Sequence, residues 1–439
     1  MSVKRIAIFK HDPGRQRGAA LLIMLVILVV GAAAVLINSL TSSAVKTARQ
    51  TTTAAALAQA REALIGRAIK DVNRPGSLPC PDTNNNGSAD LFISGNQCPN
   101  YVGRLPWKTL GLPDLRDGDG ERLWYALSPT VRDYSSSTQS VNSDTPSQFN
   151  IIGNVTMNNV VAIVFSPGAV LSSPSQVRDT ANENNVANYL EGNNATNGAI
   201  INADIAGGTY SSTSIYTFTA NASSSTFNDS VLGITADQVF PIVEKRIAKE
   251  VSNCLQDYSG TPANLGRYPW ATPLNSTNYL DANNTWFGRL PSPLPVSVIN
   301  QLSVTRANSG NAMNDQWPST AACNSVAAWW ANWKELIFYS VADDYSPNGY
   351  PAPAGCNSTC LIVNPPSATR DKKIMVIVAG KALPGQARTT ITDKATVSNY
   401  LEGNNATGAV TAANTTGNTG GTFEQSPRST AFNDTLLYQ

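Results

Sequence analysis

Histidine is almost missing: the 439 residues contain one, His11, and it precedes the first hydrophobic run. With a leader of that length removed, no imidazole is left. That excludes Ser-His-Asp triads, Cys-His dyads and His-ligated zinc or iron sites. Charge is scarce as well, at 14% Asp, Glu, Lys and Arg with a net +1. The first 18 residues hold Lys4, Arg5, Lys10, Arg15 and Arg17 against Asp12, a local +4 that leaves −3 for the rest. Such a balance argues against a nucleic-acid partner. Walker A, dinucleotide-glycine, GxSxG and HExxH patterns are absent, and so is any Cys-x-x-Cys. What is present is 42% hydrophobic residues, enough for about three domain-sized units.

From Ala19 to Ile37 the chain carries no charge and no proline, long enough as a helix to cross roughly 30 Å of hydrocarbon. The cationic leader then stays cytoplasmic and sends the remainder across the membrane. A secretory signal peptide cut near Ala32-Ala33-Ala34 is the alternative. From Asn38 to Asp71 there is no proline and glycine occurs only at Gly66. One helix from about Ala20 to Lys70, stopping before Pro75-Gly76, is therefore expected.

A polybasic leader ending in Arg17-Gly18, the apolar run Ala19-Ala20-Leu21-Leu22 and a long amphipathic continuation resemble the type IV pilin and type II secretion pseudopilin family. The resemblance implies cleavage by a prepilin peptidase after Gly18, with Ala19 becoming the methylated N-terminus. It implies an inner-membrane anchor with the C-terminal region in the periplasm, and other pilin or pseudopilin subunits as partners. Most members have a glutamate at the fifth mature position; here it is Ile23. That absence is shared with tip-located and other minor subunits. Gly31, Ala32, Ala33 and Ala34 are the small residues through which neighbouring helices would pack.

Beyond Asp71 the sequence is rich in Asn, Ser, Thr, Gly and Pro with short hydrophobic runs, the pattern of antiparallel strands and long polar loops. The nine residues Asn188–Thr196 recur identically at Asn399–Thr407. Their flanks repeat in order: Val161–Phe165 with Met375–Ala379, Thr226–Asp229 with Ala431–Asp434, and, loosely, Leu123–Pro129 with Ile337–Val341 and Leu105–Trp107 with Tyr268–Trp270. The segment after Thr235 has helical apolar spacing at Val239, Ile242, Val243, Ile247 and Val251. Two copies of one module follow each other.

The six cysteines, 80, 98, 254, 323, 356 and 360, are expected to form disulfides outside the cytoplasm. Cys80 with Cys98 and Cys356 with Cys360 close short loops, and Cys254 with Cys323 follows by subtraction, one of fifteen pairings. Asp82, Asn84, Asn86 and Asp90 alternate around Gly87 as calcium ligands do, though the twelfth position is Ile93. Asp117 and Asp119 form a second acidic loop that could serve the same ion; turn formation is the competing reading. Glu191, Glu402, Asp229 and Asp434 are the carboxylates open to a glycosidase role, but their duplication favours structural turns, with Tyr189 and Tyr400 buried. Trp329, Trp330 and Trp333 read as core, or as an aromatic binding surface if one face is exposed.

The expected fold is α+β. A leader (1–18) and a long membrane-spanning and amphipathic N-terminal helix (19–72) precede two duplicated pilin-like modules with small antiparallel sheets, at 73–234 and 235–439. The expected function is a non-enzymatic minor pilin or pseudopilin subunit, and a surface adhesin on a signal anchor is the alternative.

Overall fold

The structure, a computed structural model, describes residues 16–134, 139–172, 175–191, 214–294, 313, 316–349, 355–356, 359–407 and 421–439. The expected leader, residues 1–18, lies almost wholly outside them.

Helix α1 runs unbroken from Gln16 to Lys70, about 80 Å at the standard rise. Only its C-terminal third is packed, with Ala56, Leu57, Ala60, Leu64, Ile65 and Ala68 buried at three- and four-residue spacing. Upstream, the side chains from Ser43 to Thr52 are exposed. The expectation of a membrane-spanning helix is corrected here: among the described residues no helix is long and apolar enough to cross a membrane. From Ser43 to Lys70 α1 is Ala- and Thr-rich, and Lys46, Arg49, Arg61, Glu62 and Arg67 break up its apolar stretches.

The first module's sheet has six strands: β1 (Val102–Arg104), β2 (Trp124–Leu127), β3 (Phe149–Gly153), β4 (Met157–Ser166), β5 (Tyr216–Ala220) and β6 (Ser230–Thr235). The order is β1-β2-β4-β3-β5, with β6 also on β4. In the second module β7 (Phe287–Arg289), β8 (Ile337–Val341), β11 (Ile374–Val378) and β13 (Thr435–Tyr438) form a four-stranded antiparallel sheet. A separate three-stranded sheet holds β9 (Leu361–Val363), β10 (Ser367–Lys372) and β12 (Thr422–Phe423). The expectation of small antiparallel sheets therefore fails in two of the three. β5 lies parallel to β3 and β12 parallel to β9, because the long loop before each of these strands carries the chain back in the same direction.

Helix α2 (Ala236–Ser259) starts at a capping box between Thr235 and Gln238. It lies between the modules, against β4 and β6 on one side and β11 and β13 on the other. A helix shared by two sheets needs a wide apolar stripe: Val239, Phe240, Val243, Ile247, Ala248, Val251 and Leu255 are all buried, while Asp237, Lys245, Lys249, Asn253 and Gln256 face outward. One hydrophobic cluster consequently runs through both modules. Helix α3 (Ala321–Trp333) packs on α2. Trp329, Trp330 and Trp333 are at most 2% exposed, which settles them as core and removes the aromatic binding surface.

Strand β1 matches β7 through a shared close approach. A Cβ on Gly103 would lie under 3 Å from the Asp82 carbonyl, and one on Gly288 under 3 Å from that of Thr272. The tetrapeptide Gly-Arg-Leu-Pro, at 103–106 and 288–291, is thus the true counterpart pair. Tyr268-Pro269-Trp270 corresponds instead to Leu78-Pro79-Cys80: the Tyr339 hydroxyl donates to the Pro269 carbonyl as that of Tyr125 does to Pro79.

Candidate functional site

Each module carries the same polar clasp on the rim of its sheet. In the first, the Glu191 carboxylate accepts from the backbone N–H of Asn228 at 2.8 Å and from the Gln176 amide, while its own N–H donates to Asp229 at 2.9 Å. In the second, Glu402 accepts from Asn433 N–H at 2.9 Å and from Gln386 at 2.8 Å, and its N–H donates to Asp434 at 3.1 Å. Arg178 donates to the carbonyls of Asn188 and Gly168, as Arg388 does to those of Asn399 and Gly380. The repeated Asn-Tyr-Leu-Glu segment is the hook of this clasp; in the first copy the described part ends at Glu191.

Each repeated tyrosine lies between two guanidiniums. Tyr189 has Arg104 at 4.1 Å and Arg178 at 4.8 Å from its ring centre, and Tyr400 has Arg289 at 4.2 Å and Arg388 at 4.4 Å. Arg104 and Arg289 also tie down the carbonyls of Glu183 and Lys394. None of Arg104, Arg178, Arg289 or Arg388 stands out by local sequence pattern. The signal was there in the twin Gly-Arg-Leu-Pro and in Gln176-x-Arg178 beside Gln386-x-Arg388.

These carboxylates are unsuited to glycoside chemistry, which needs two groups facing a substrate. Glu191, Asp229, Glu402 and Asp434 are each no more than 8% exposed. Burial pushes Glu191 up. Burial, and then the Glu402 carboxylate beside it, hold Asp434 well above the ordinary carboxylate range. A raised acid binds more protons folded than unfolded, so its contribution falls as pH rises from the ordinary carboxylate range through the raised value. Asp434→Asn keeps an acceptor for the Glu402 N–H and turns an NH2 toward Glu402. It is expected to stabilise the protein by about 1–2 kcal/mol near pH 8 and much less near pH 5. Urea unfolding at the two pH values checks this, and equal effects at both would overturn it.

The two calcium-like loops are turned inward on themselves. Asp82 accepts from the N–H groups of Asn84, Asn86 and Gly87, and burial pushes its carboxyl up against those bonds. Asp90 receives Thr83 and the Asn84 amide. Asn86 accepts from Ser88 N–H. Asp117 binds Ser166 and the Gly168 N–H, and Asp119 pairs with Arg49 at 2.9 Å. Among the described residues no three His, Cys, Asp or Glu side chains gather to hold a metal. The three disulfides are Cys80–Cys98, Cys254–Cys323 and Cys356–Cys360. Gly18, Ala19, Ile23, Gly31, Ala32, Ala33 and Ala34 fall within α1, and their side chains lie outside the described residues.

The modules are joined by groups that the repeat does not reveal. Asp144, from the first module, receives Arg388 at 2.8 Å and the Ala382 N–H. In the first module the corresponding Arg178 faces its own Glu121 at 3.4 Å. Glu244 of α2, fully buried, accepts from Ser143 of the first module and from Arg428 and Thr435 of the second. No family model, curated protein or solved structure matches the chain.

Proposed function

We propose that the protein is a non-enzymatic minor subunit of a pilin-like filament, of the type IV pilus or type II secretion pseudopilus kind. In this reading a prepilin peptidase cleaves between Gly18 and Ala19, and the subunit holds a low-copy or tip position. The observation that carries the reading is the shape and exposure of α1. A helix about 80 Å long has only its last third packed, while Met24, Leu25, Leu28 and Val29 are 56–70% exposed. The exposed apolar patch of Met24, Leu25, Leu28 and Val29 has to be covered by something else, and neighbouring helices are the cover a filament supplies. Ile23 in place of the family's glutamate suits a subunit that caps rather than repeats.

The acidic and guanidinium groups of the two clasps are buried and occupied in holding the rims, which supports a non-enzymatic role. Gly18→Leu is expected to leave the full-length chain uncut, whereas the parent yields an N-terminus at Ala19 only in cells with the peptidase. Intact mass and N-terminal sequencing read both. Cleavage near Ala34, indifferent to Gly18 and to the peptidase, would instead make the protein a freely exported two-module binding protein.

A further inference from the structure

A groove of about 790 Å³ lies between α1 and the rim of the first sheet, bordered by Lys46, Arg49, Thr53, Ser223, Asn228 and Ser230. The duplicated clasp gives its counterpart in the second module. Asn228 and Asn433 donate equivalently to Glu191 and Glu402, so Ser223 corresponds to Arg428 and Ser230 to Thr435. There the space is filled. Arg428 and Thr435 close on Glu244 of α2, and the first module's loop lays Ser143 on Glu244 and Asp144 on Arg388. In the first module the same positions carry small hydroxyl side chains and leave the groove open.

We propose that this groove docks a carboxylate-bearing loop of a second pilin-like module, lying over α1 as the loop Asn142–Thr145 lies over α2; Glu121 already occupies Arg178, the counterpart of the Arg388 that holds Asp144, so the incoming carboxylate is held instead through Lys46 and Arg49. That the donor is a pilin-like module rests on the filament reading; the preference for an acidic loop does not. Two cations stand at the mouth, and the one carboxylate among the described lining residues, Asp119, already bonds Arg49. An incoming carboxylate therefore meets net positive charge and competes with Asp119 for the guanidinium. Hydroxyl and amide groups along the walls suit the Asn, Ser and Thr that flank such an acid.

The test uses the purified full-length chain and a fluorescent peptide with the sequence of residues 139–147, extended by one added cysteine at each end and cyclised through that pair. The expected result is saturable binding, weakened about tenfold when the peptide's aspartate is replaced by asparagine and about tenfold by Lys46→Glu or Arg49→Glu in the protein. Asp119→Asn, which removes the internal competitor, is expected to tighten it. Lys46 is exposed, so its variant leaves the fold intact and thermal melting confirms this. Binding that is absent, equal for both peptides or unchanged by Lys46→Glu overturns the proposal. Maturation at Gly18 is read separately, so docking can fail while the filament reading stands, and the reverse.

Discussion

Glu244→Ala is expected to cost about 3–5 kcal/mol, the range for removing one member of a buried ion pair. Glu244 is 0% exposed and accepts from Arg428 and Thr435 of the C-terminal segment and from Ser143 of the first module. Alanine strands two hydroxyls and a guanidinium and leaves a hole where α2 meets both modules. Glu244→Gln should recover most of the loss, because it still offers an acceptor and Arg428, with its side chain 34% exposed, regains water. Since Ser143 comes from the first module, the alanine variant should also separate the unfolding of the modules into two calorimetric transitions. Burial raises the Glu244 carboxyl while Arg428 opposes it, so the parent's advantage over Glu244→Gln shrinks as pH rises from the ordinary carboxylate range. Urea titration and calorimetry check these outcomes; a Glu244→Ala loss under about 1 kcal/mol would refute the bridging role.

Loss of the Cys254–Cys323 disulfide is the second large effect. It spans 69 residues and ties α2 to α3, and loop-closure entropy puts its contribution at about 4 kcal/mol. The Cys356–Cys360 bond spans 4, for which the same relation gives about 2 kcal/mol. Paired alanine substitution at 254 and 323 should therefore destabilise roughly twice as much as at 356 and 360, measured by urea unfolding without reductant. Reductant should lower the parent below either variant, because it opens all three bonds, Cys80–Cys98 included. If the two paired variants are equally stable, α2 and α3 are held by packing alone and the entropic account fails.

Much of this was readable from the chain itself. Helix α1 and helix α2 follow from runs free of proline or with a single one, Pro241, near the start, and from apolar spacing that repeats every three to four residues. The internal duplication follows from the identity of residues 188–196 with 399–407. Of the fifteen cysteine pairings open to the sequence, the one with two short loops is the one the structure contains. The helical spacing and the duplication are local or self-referential signals, needing no knowledge of which distant residues meet.

The clasp, the bridge and the groove needed the tertiary structure. Arg104 and Arg289 meet Tyr189 and Tyr400 across about a hundred residues, and nothing in the spacing of arginines says which ring they will cover. The direction of β5 and β12 was decided by long connections, which polar composition does not orient. Whether Glu191, Glu402, Asp229 and Asp434 were catalytic or structural turned on burial, a property of the packed chain. The long helices and the two-fold repeat could be read off the chain, because local periodicity and identity encode them. Only the folded chain decided that α2 would be shared between two sheets, and that one module's aspartate would complete the other's arginine, since such contacts exist only once distant segments are packed together.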